Sequence, residues 1–249
     1  MANLRAWLIG CALLSAAVSS PAYAGPPYET DDPMPPEPGE FEVYSFVEGD
    51  HFGHATEGEA GFDINYGAAK DLQLTVVVPV GFEDNDTSRR HTGFGDVELG
   101  VKYLFAHETK EEKGVNVAFY PTITMPTGEH DFTSDKVSAF LPLWAQKDMG
   151  SWSVFGGGGY HVNPGAGNQD FWSGGIAVTK DVAPRLNIGV ETYFETKSEV
   201  GGHYLQGADL GMEYELSDHW ALLAGGGPIL NHRAENGKYH FYLSLAFVG

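Results

Sequence analysis

The stretch Gly95–Phe105, GDVELGVKYLF, decides how the rest of the chain is read. Val97, Leu99, Val101, Tyr103 and Phe105 fall on one face, and Asp96, Glu98 and Lys102 on the other. Side chains alternate with a period of two in a strand and 3.6 in a helix, so this stretch is a strand with one apolar and one polar face. It is also long. Soluble sandwiches manage with strands of about five or six residues, whereas crossing a bilayer at a tilt takes about nine to eleven.

The same writing recurs along the chain. In GFDINYGA, Phe62, Ile64 and Tyr66 oppose Asp63 and Asn65; in PRLNIGVETYF, Leu186, Ile188, Val190 and Phe194 oppose Arg185, Asn187, Glu191 and Tyr193. GADLGMEYEL sets Leu210, Met212, Tyr214 and Leu216 against Asp209, Glu213 and Glu215. Roughly twelve strands follow, starting near Glu40, Glu57, Asp71, Gly93, Gly114, Lys136, Ser151, Gln169, Arg185, Gly202, His219 and Lys238. The last alternates Tyr239, Phe241, Leu243, Leu245 and Phe247, with Val248 and Gly249 beyond the final aromatic.

The connections divide into two sets. AAKDL, AQKDMGSW, VTKDVAPR and ELSDHW are brief, whereas EDNDTSRRHTG, TGEHDFTSDK, NPGAGNQD, ETKSEVGGH and NHRAENGK are longer and polar. AHETKEEKG is long where a short turn is due. Short turns at one end and long loops at the other describe an outer-membrane barrel. Lipid contact requires every backbone group to be paired within the protein, which a closed sheet achieves. The expected fold is all-β: an antiparallel up-and-down transmembrane β-barrel of about twelve strands, with a soluble periplasmic sandwich as the alternative.

The first 24 residues read as an export signal. Arg5 gives a charged start, Ala6 to Val18 is an apolar run too short to span, and Ala22-Tyr23-Ala24 is a small-x-small cleavage pattern. The mature chain would begin at Gly25. The single cysteine, Cys11, lies inside this signal, so disulfides and thiolate chemistry are excluded from the mature protein. With Arg5 removed, 13 Lys plus Arg face 34 Asp plus Glu, which excludes nucleic acid as a partner. Residues 25–39, ending in the proline-rich and acidic ETDDPMPPEPG, read as an extended, solvated periplasmic lead-in. The barrel then occupies 40–249.

Candidate chemistry is sparse. Phe155–His161, FGGGGYH, lacks the Lys-Ser/Thr pair of a phosphate loop, and with Ala224–Pro228, AGGGP, reads as strand glycine that makes room for rings. Asp50–His54, DHFGH, offers two imidazoles and a carboxylate but no identifiable third ligand. His130 and Ser134 invite a hydrolase reading, yet the His-x-Ser pattern on a lipid-facing strand is missing, and no catalytic residue, metal or cofactor is expected. The diffuse constellation is the informative one. The polar phase carries Glu42, Glu48, Asp63, Glu98, Glu191, Glu195, Asp209, Glu213 and Glu215 against Lys102 and Arg185, giving a lumen whose field favours cations. Arg89, Arg90 and His91 in one loop are candidates for anionic headgroup contact.

ETDDPMPPEPGEFEVY, GFGDVELGVKYLF, PTITMPTGE and ELSDHWALLAGGG, in this order, resemble the exported barrels associated with the meta-cleavage pathway of phenol degradation and labelled transporters. The resemblance implies an outer-membrane channel or facilitator for small solutes, aromatic or otherwise hydrophobic. It supplies no catalytic residue. A non-conducting, lipid-contacting barrel is the alternative, and a lipid-acting barrel enzyme a lesser one. The expected partners are outer-membrane lipid, the barrel-assembly machinery during biogenesis, and an unidentified small solute.

Overall fold

The computed structural model describes residues 27–85, 90–109, 113–234 and 236–249; the expected export signal and Arg89 lie outside these. Fourteen strand segments form one antiparallel sheet. They are β1 (Phe41–His51), β2 (Ala55–Ala69), β3 (Leu72–Asn85), β4 (His91–Phe94), β5 (Val97–Ala106), β6 (Asn116–Phe119) and β7 (Thr122–Met125), followed by β8 (Ser138–Met149) and β9 (Trp152–Val162). The remainder are β10 (Phe171–Ala183), β11 (Leu186–Glu195), β12 (Leu205–Glu215), β13 (Trp220–Pro228) and β14 (Tyr239–Val248). The sheet closes on itself. β1 pairs with β14 along its length, and Phe41 and Gly249 exchange both backbone hydrogen bonds, so the residues after the last aromatic complete the seam.

Two adjacent staves are each broken in two, so the fourteen segments make a barrel of twelve. β4 and β5 both pair with β3, and β6 and β7 both bridge β5 and β8. Each break has a local cause. Between β4 and β5, Asp96 turns away to accept from the backbone N–H groups of Gly128 (2.9 Å) and Ser134 (2.8 Å). Between β6 and β7 stands Pro121, which has no N–H to donate. The turns after β2, β8 and β10 are tight and use left-handed residues, Asp71 (φ 65°), Gly150 (φ 65°) and Arg185 (φ 66°).

The outer wall is apolar and ringed with aromatics. Leu99, Val101, Val190, Leu210, Leu243 and Leu245 all face outward and are exposed. At the short-turn end Phe41 packs on Tyr66 (4.6 Å between ring centres), Trp220 on Phe247 (5.1 Å), and Lys180 lies over Trp152. At the loop end Tyr160 meets Trp172 at 5.2 Å. Two aromatic girdles flanking an apolar band are what a lipid bilayer selects at its two interfaces. Inside, an apolar patch of Tyr44, Phe46, Leu223, Tyr242 and Ala246 covers the wall around the seam.

The lead-in departs from expectation. The segment is only partly solvated: Thr30, Asp32, Pro33 and Pro36 are buried inside the barrel, while Glu37, Pro38 and Gly39 at its end are exposed. A row of glycines in the wall explains how it fits. Ideal Cβ atoms built on them would lie 2.2 Å from Thr30 Oγ1 at Gly175, 2.5 Å from the Tyr28 hydroxyl at Gly189, 2.4 Å from the Tyr28 ring at Gly211 and 2.2 Å from the Pro27 carbonyl at Gly225. β10, β11, β12 and β13 each contribute one glycine, forming a trough that only side-chain-free positions could provide. Gly39 closes the entry by donating to the Gly67 carbonyl at 2.7 Å.

Candidate functional site: the barrel lumen

Two features hold the inserted segment. The Lys102 side chain, 2% exposed, places Nζ 3.0 Å from Asp31 Oδ2, donates to the Asp32 carbonyl at 2.9 Å, and sits over the Tyr120 ring. On the opposite wall Glu191 accepts from the backbone N–H groups of Glu29 (2.7 Å) and Thr30 (3.0 Å). Asp31 and Asp32, which the sequence leaves without fixed partners, are thereby tied to Lys102.

The carboxylates of the polar phase are distributed over the height of the lumen. Glu42 is buried and accepts from the Tyr44 hydroxyl at 3.2 Å; Asp63 accepts from Asn65 at 3.0 Å; Glu98 faces Thr124 at 3.5 Å. Glu48 lies directly across the strand pair from Glu59. Glu195 stands at the loop end of β11, while Glu213 and Glu215 border a cavity at the short-turn end. Asp209 is 3% exposed, and among the described residues neither of its carboxylate oxygens has a hydrogen-bond partner. Arg185 differs from its expected place within the strand wall. It occupies the turn before β11 and pairs with Asp218 at 2.9 Å, because the register shift between Asp181 and Ala183 ends the ladder one residue early.

The loop end is narrowed from within. Residues 126–137 fold back so that Phe132 covers Gly81 and Gly93 and its ring lies tilted against that of His91, 5.1 Å between centres. Asp96 anchors this loop through Gly128 and Ser134, whose hydroxyl lies 2.8 Å from it. Phe132 and the wall of β1, β2, β3 and β5 border a cavity of about 510 Å³. Its lining is mixed: Phe46, Val77, Phe132 and Tyr242 are interleaved with Glu48, Glu59, Asp63 and Glu98, Tyr242 standing across the ladder from Glu48 and Val77 between Asp63 and Glu98.

Other sequence candidates separate. His130 is exposed and pairs with Asp131 (3.1 Å), while Ser134 is engaged with Asp96, so the two form no nucleophile and base pair. His51 contacts Thr56 at 3.0 Å, and among the described residues no group of three metal-binding side chains assembles. Arg90 pairs with Asp84 and His91 approaches Asp131. The aberrant long connection is tied down at its base. The Lys147 ammonium and the Asp148 backbone N–H both reach the Glu108 carboxyl and hold it below the usual carboxylate range.

The family described as "Putative MetA-pathway of phenol degradation" matches residues 25–247. The chain belongs to that family. Among solved structures, an outer membrane channel from Pseudomonas putida F1 is similar, at 15% identity over 90% of this chain and 98% of that one, with a TM-score of 0.69. The NanC porin is similar at 10% identity over 84% of this chain and 99% of its own, TM-score 0.57. At such identities the likeness is one of fold, that of an outer-membrane β-barrel whose outer wall contacts lipid. No curated protein sequence matches the chain.

Proposed function

We propose that this phenol-degradation family barrel is an outer-membrane channel for small solutes that have an apolar body and a hydrogen-bond donor or positive charge. The observation that carries the reading is the mixed lining of the cavity. Its aromatic rings give apolar surface, and the four carboxylates interleaved with them accept hydrogen bonds and repel anions. Small uncharged aromatics with a hydroxyl fit this chemistry, and aromatic acids do not. The inward polar phase, including Glu42, Glu48, Asp63, Glu98, Glu191, Glu195, Asp209, Glu213 and Glu215, sets the field, with Lys102 committed to the inserted segment. No catalytic role is assigned to any residue. Export through residues 1–24 and insertion by the barrel-assembly machinery belong to the same reading.

Planar bilayer recordings test it. Cation-preferring conductance, together with liposome swelling in phenolic solutes, supports the reading; anion preference overturns it. The segment at 27–39 favours a second reading, a barrel closed at rest. Conductance that appears only when that segment is deleted would identify it.

A further inference from the structure

Away from the first cavity, β8, β9 and β10 carry three rings stacked across their ladder near the loop end. Phe140 pairs with His161, and His161 with Phe171. The imidazole lies 3.9 Å from the Phe140 ring centre at 9° and 4.0 Å from that of Phe171 at 7°. All three rings are half-buried and face the lumen. Phe140 shares the phase of Gln146 and Asp148, which border the cavity at the short-turn end, while its neighbour Leu141 is exposed on the outer wall. Phe171 shares the phase of Gly175, deeper on β10, against which Thr30 rests. The stack therefore stands between the loop end and the inserted segment.

Rings stacked across neighbouring strands stand upright on the wall and turn their edges to the lumen. The two phenyl groups cover both faces of the imidazole, which leaves only its edge free. On that edge Nε2 lies 2.7 Å from Ser173 Oγ. Nδ1 has no partner among the described residues and is not among their buried unpartnered atoms. In a neutral imidazole one nitrogen donates and the other accepts. The Ser173 hydroxyl serves either role, so Nδ1 presents the complementary one. A hydroxyl on a solute satisfies both cases, whereas a carboxylate only accepts and an ammonium only donates. Glu195 stands across the ladder from Ser173 and adds repulsion against anions. Aromatic edges also carry the positive rim of the ring quadrupole and attract the negative face of another ring. We propose that the stack is a binding subsite for a neutral hydroxylated aromatic, whose ring meets the edge of a flanking phenylalanine while its hydroxyl bonds to His161 Nδ1. The subsite rests on the channel reading for the solute's arrival there, and its occupancy is measured apart from conduction.

Titration calorimetry tests it on the barrel exported and purified from outer membranes in detergent, with phenol, benzene and benzoate as probes and empty micelles as the blank. Phenol should bind about tenfold more tightly than benzene, the contribution of one hydrogen bond, and benzoate more weakly than phenol. His161→Phe keeps three stacked rings and removes both nitrogens. It should weaken phenol binding about tenfold and leave benzene binding unchanged. Retained heat-dependent gel mobility certifies that the variant is folded. In wild-type protein carrying isotope-labelled histidine, phenol should shift the imidazole resonance that His161→Phe removes, which locates the site without reliance on a variant's affinity. Equal binding of phenol and benzene to the wild type, unchanged phenol binding in His161→Phe, or tighter binding of benzoate would each overturn the subsite, and none of them bears on conductance. Phenol bound through His161 in a barrel that does not conduct would support the subsite and overturn the channel reading.

Discussion

Replacing Lys102 by methionine isolates the grip of the wall on the inserted segment. Methionine keeps the volume and apolar stem of lysine but removes the ammonium that lies 3.0 Å from Asp31 and donates to the Asp32 carbonyl at 2.9 Å. Breaking a buried ion pair by deleting one partner costs about 3 to 5 kcal/mol, since the other charge is left behind. Asp31 retains 21% exposure of its side chain and can recover some hydration, so the lower end applies, about 3 kcal/mol. The cost falls on docking of the segment and not on the barrel, whose ladder is unchanged by the substitution. About 3 kcal/mol raises the undocked population roughly a hundredfold. Limited proteolysis between Tyr28 and Gly39, with the barrel monitored by heat-dependent mobility, reads that population directly. Lys102→Arg should remain protected. Equal cleavage rates for wild type and Lys102→Met would refute the claim that this lysine fastens the segment.

Other outcomes follow from the same geometry. Gly211→Leu places a side chain in the space of the Tyr28 ring and should release the segment from a folded barrel, seen as increased conductance and faster proteolysis. Leu210, 69% exposed on the outer wall, should tolerate arginine badly, with a loss of about 2 to 4 kcal/mol if it sits at the bilayer midplane, measured by urea titration in lipid vesicles. Glu108 is held below its ordinary value of about 4.3 by Lys147 and the Asp148 N–H, so its contribution is present above that value and lost as pH falls through the lowered folded-state value. Hydrogen exchange of residues 107–109 and 113–115, relative to their intrinsic rates, should therefore accelerate as pH falls below that ordinary value, and Glu108→Gln should flatten this dependence.

Strand number, the two faces and the loop asymmetry were legible because each depends on neighbours two residues apart. Each of the twelve expected starts lies within a few residues of an observed stave. The break between β4 and β5 was not legible, since Asp96 leaves its ladder to hold Gly128 and Ser134, more than thirty residues away, whereas Pro121 marks the break between β6 and β7 in the sequence itself. The lumen was legible in part. Glu57, Glu59 and His240 carry the inward phase and could have been added by extending the alternation of their strands. The lead-in was misread for a physical reason: its prolines specify extended backbone equally well in water and in a trough, and the contact that distinguishes them, Glu29 and Thr30 on Glu191, spans about 160 residues. The strand glycines hinted at something lying close against the wall, but a single strand cannot reveal that Gly189, Gly211 and Gly225 align across three of them.

The seam between β1 and β14 fixes an order of events. Both strands must be present before the cylinder can shut, and β14 is the last of them to be made. Residues 27–39 precede β1 immediately and lie on the inner side of the wall. A segment so placed has to be inside the curling sheet before Phe41 and Gly249 meet, or else enter afterwards along the axis. Once those two residues are joined, no sideways exit remains that leaves the hydrogen-bonded wall whole. The closing strand pair therefore encloses the segment that leads into the first strand, and the cylinder is topologically finished only when its first and last strands lie side by side.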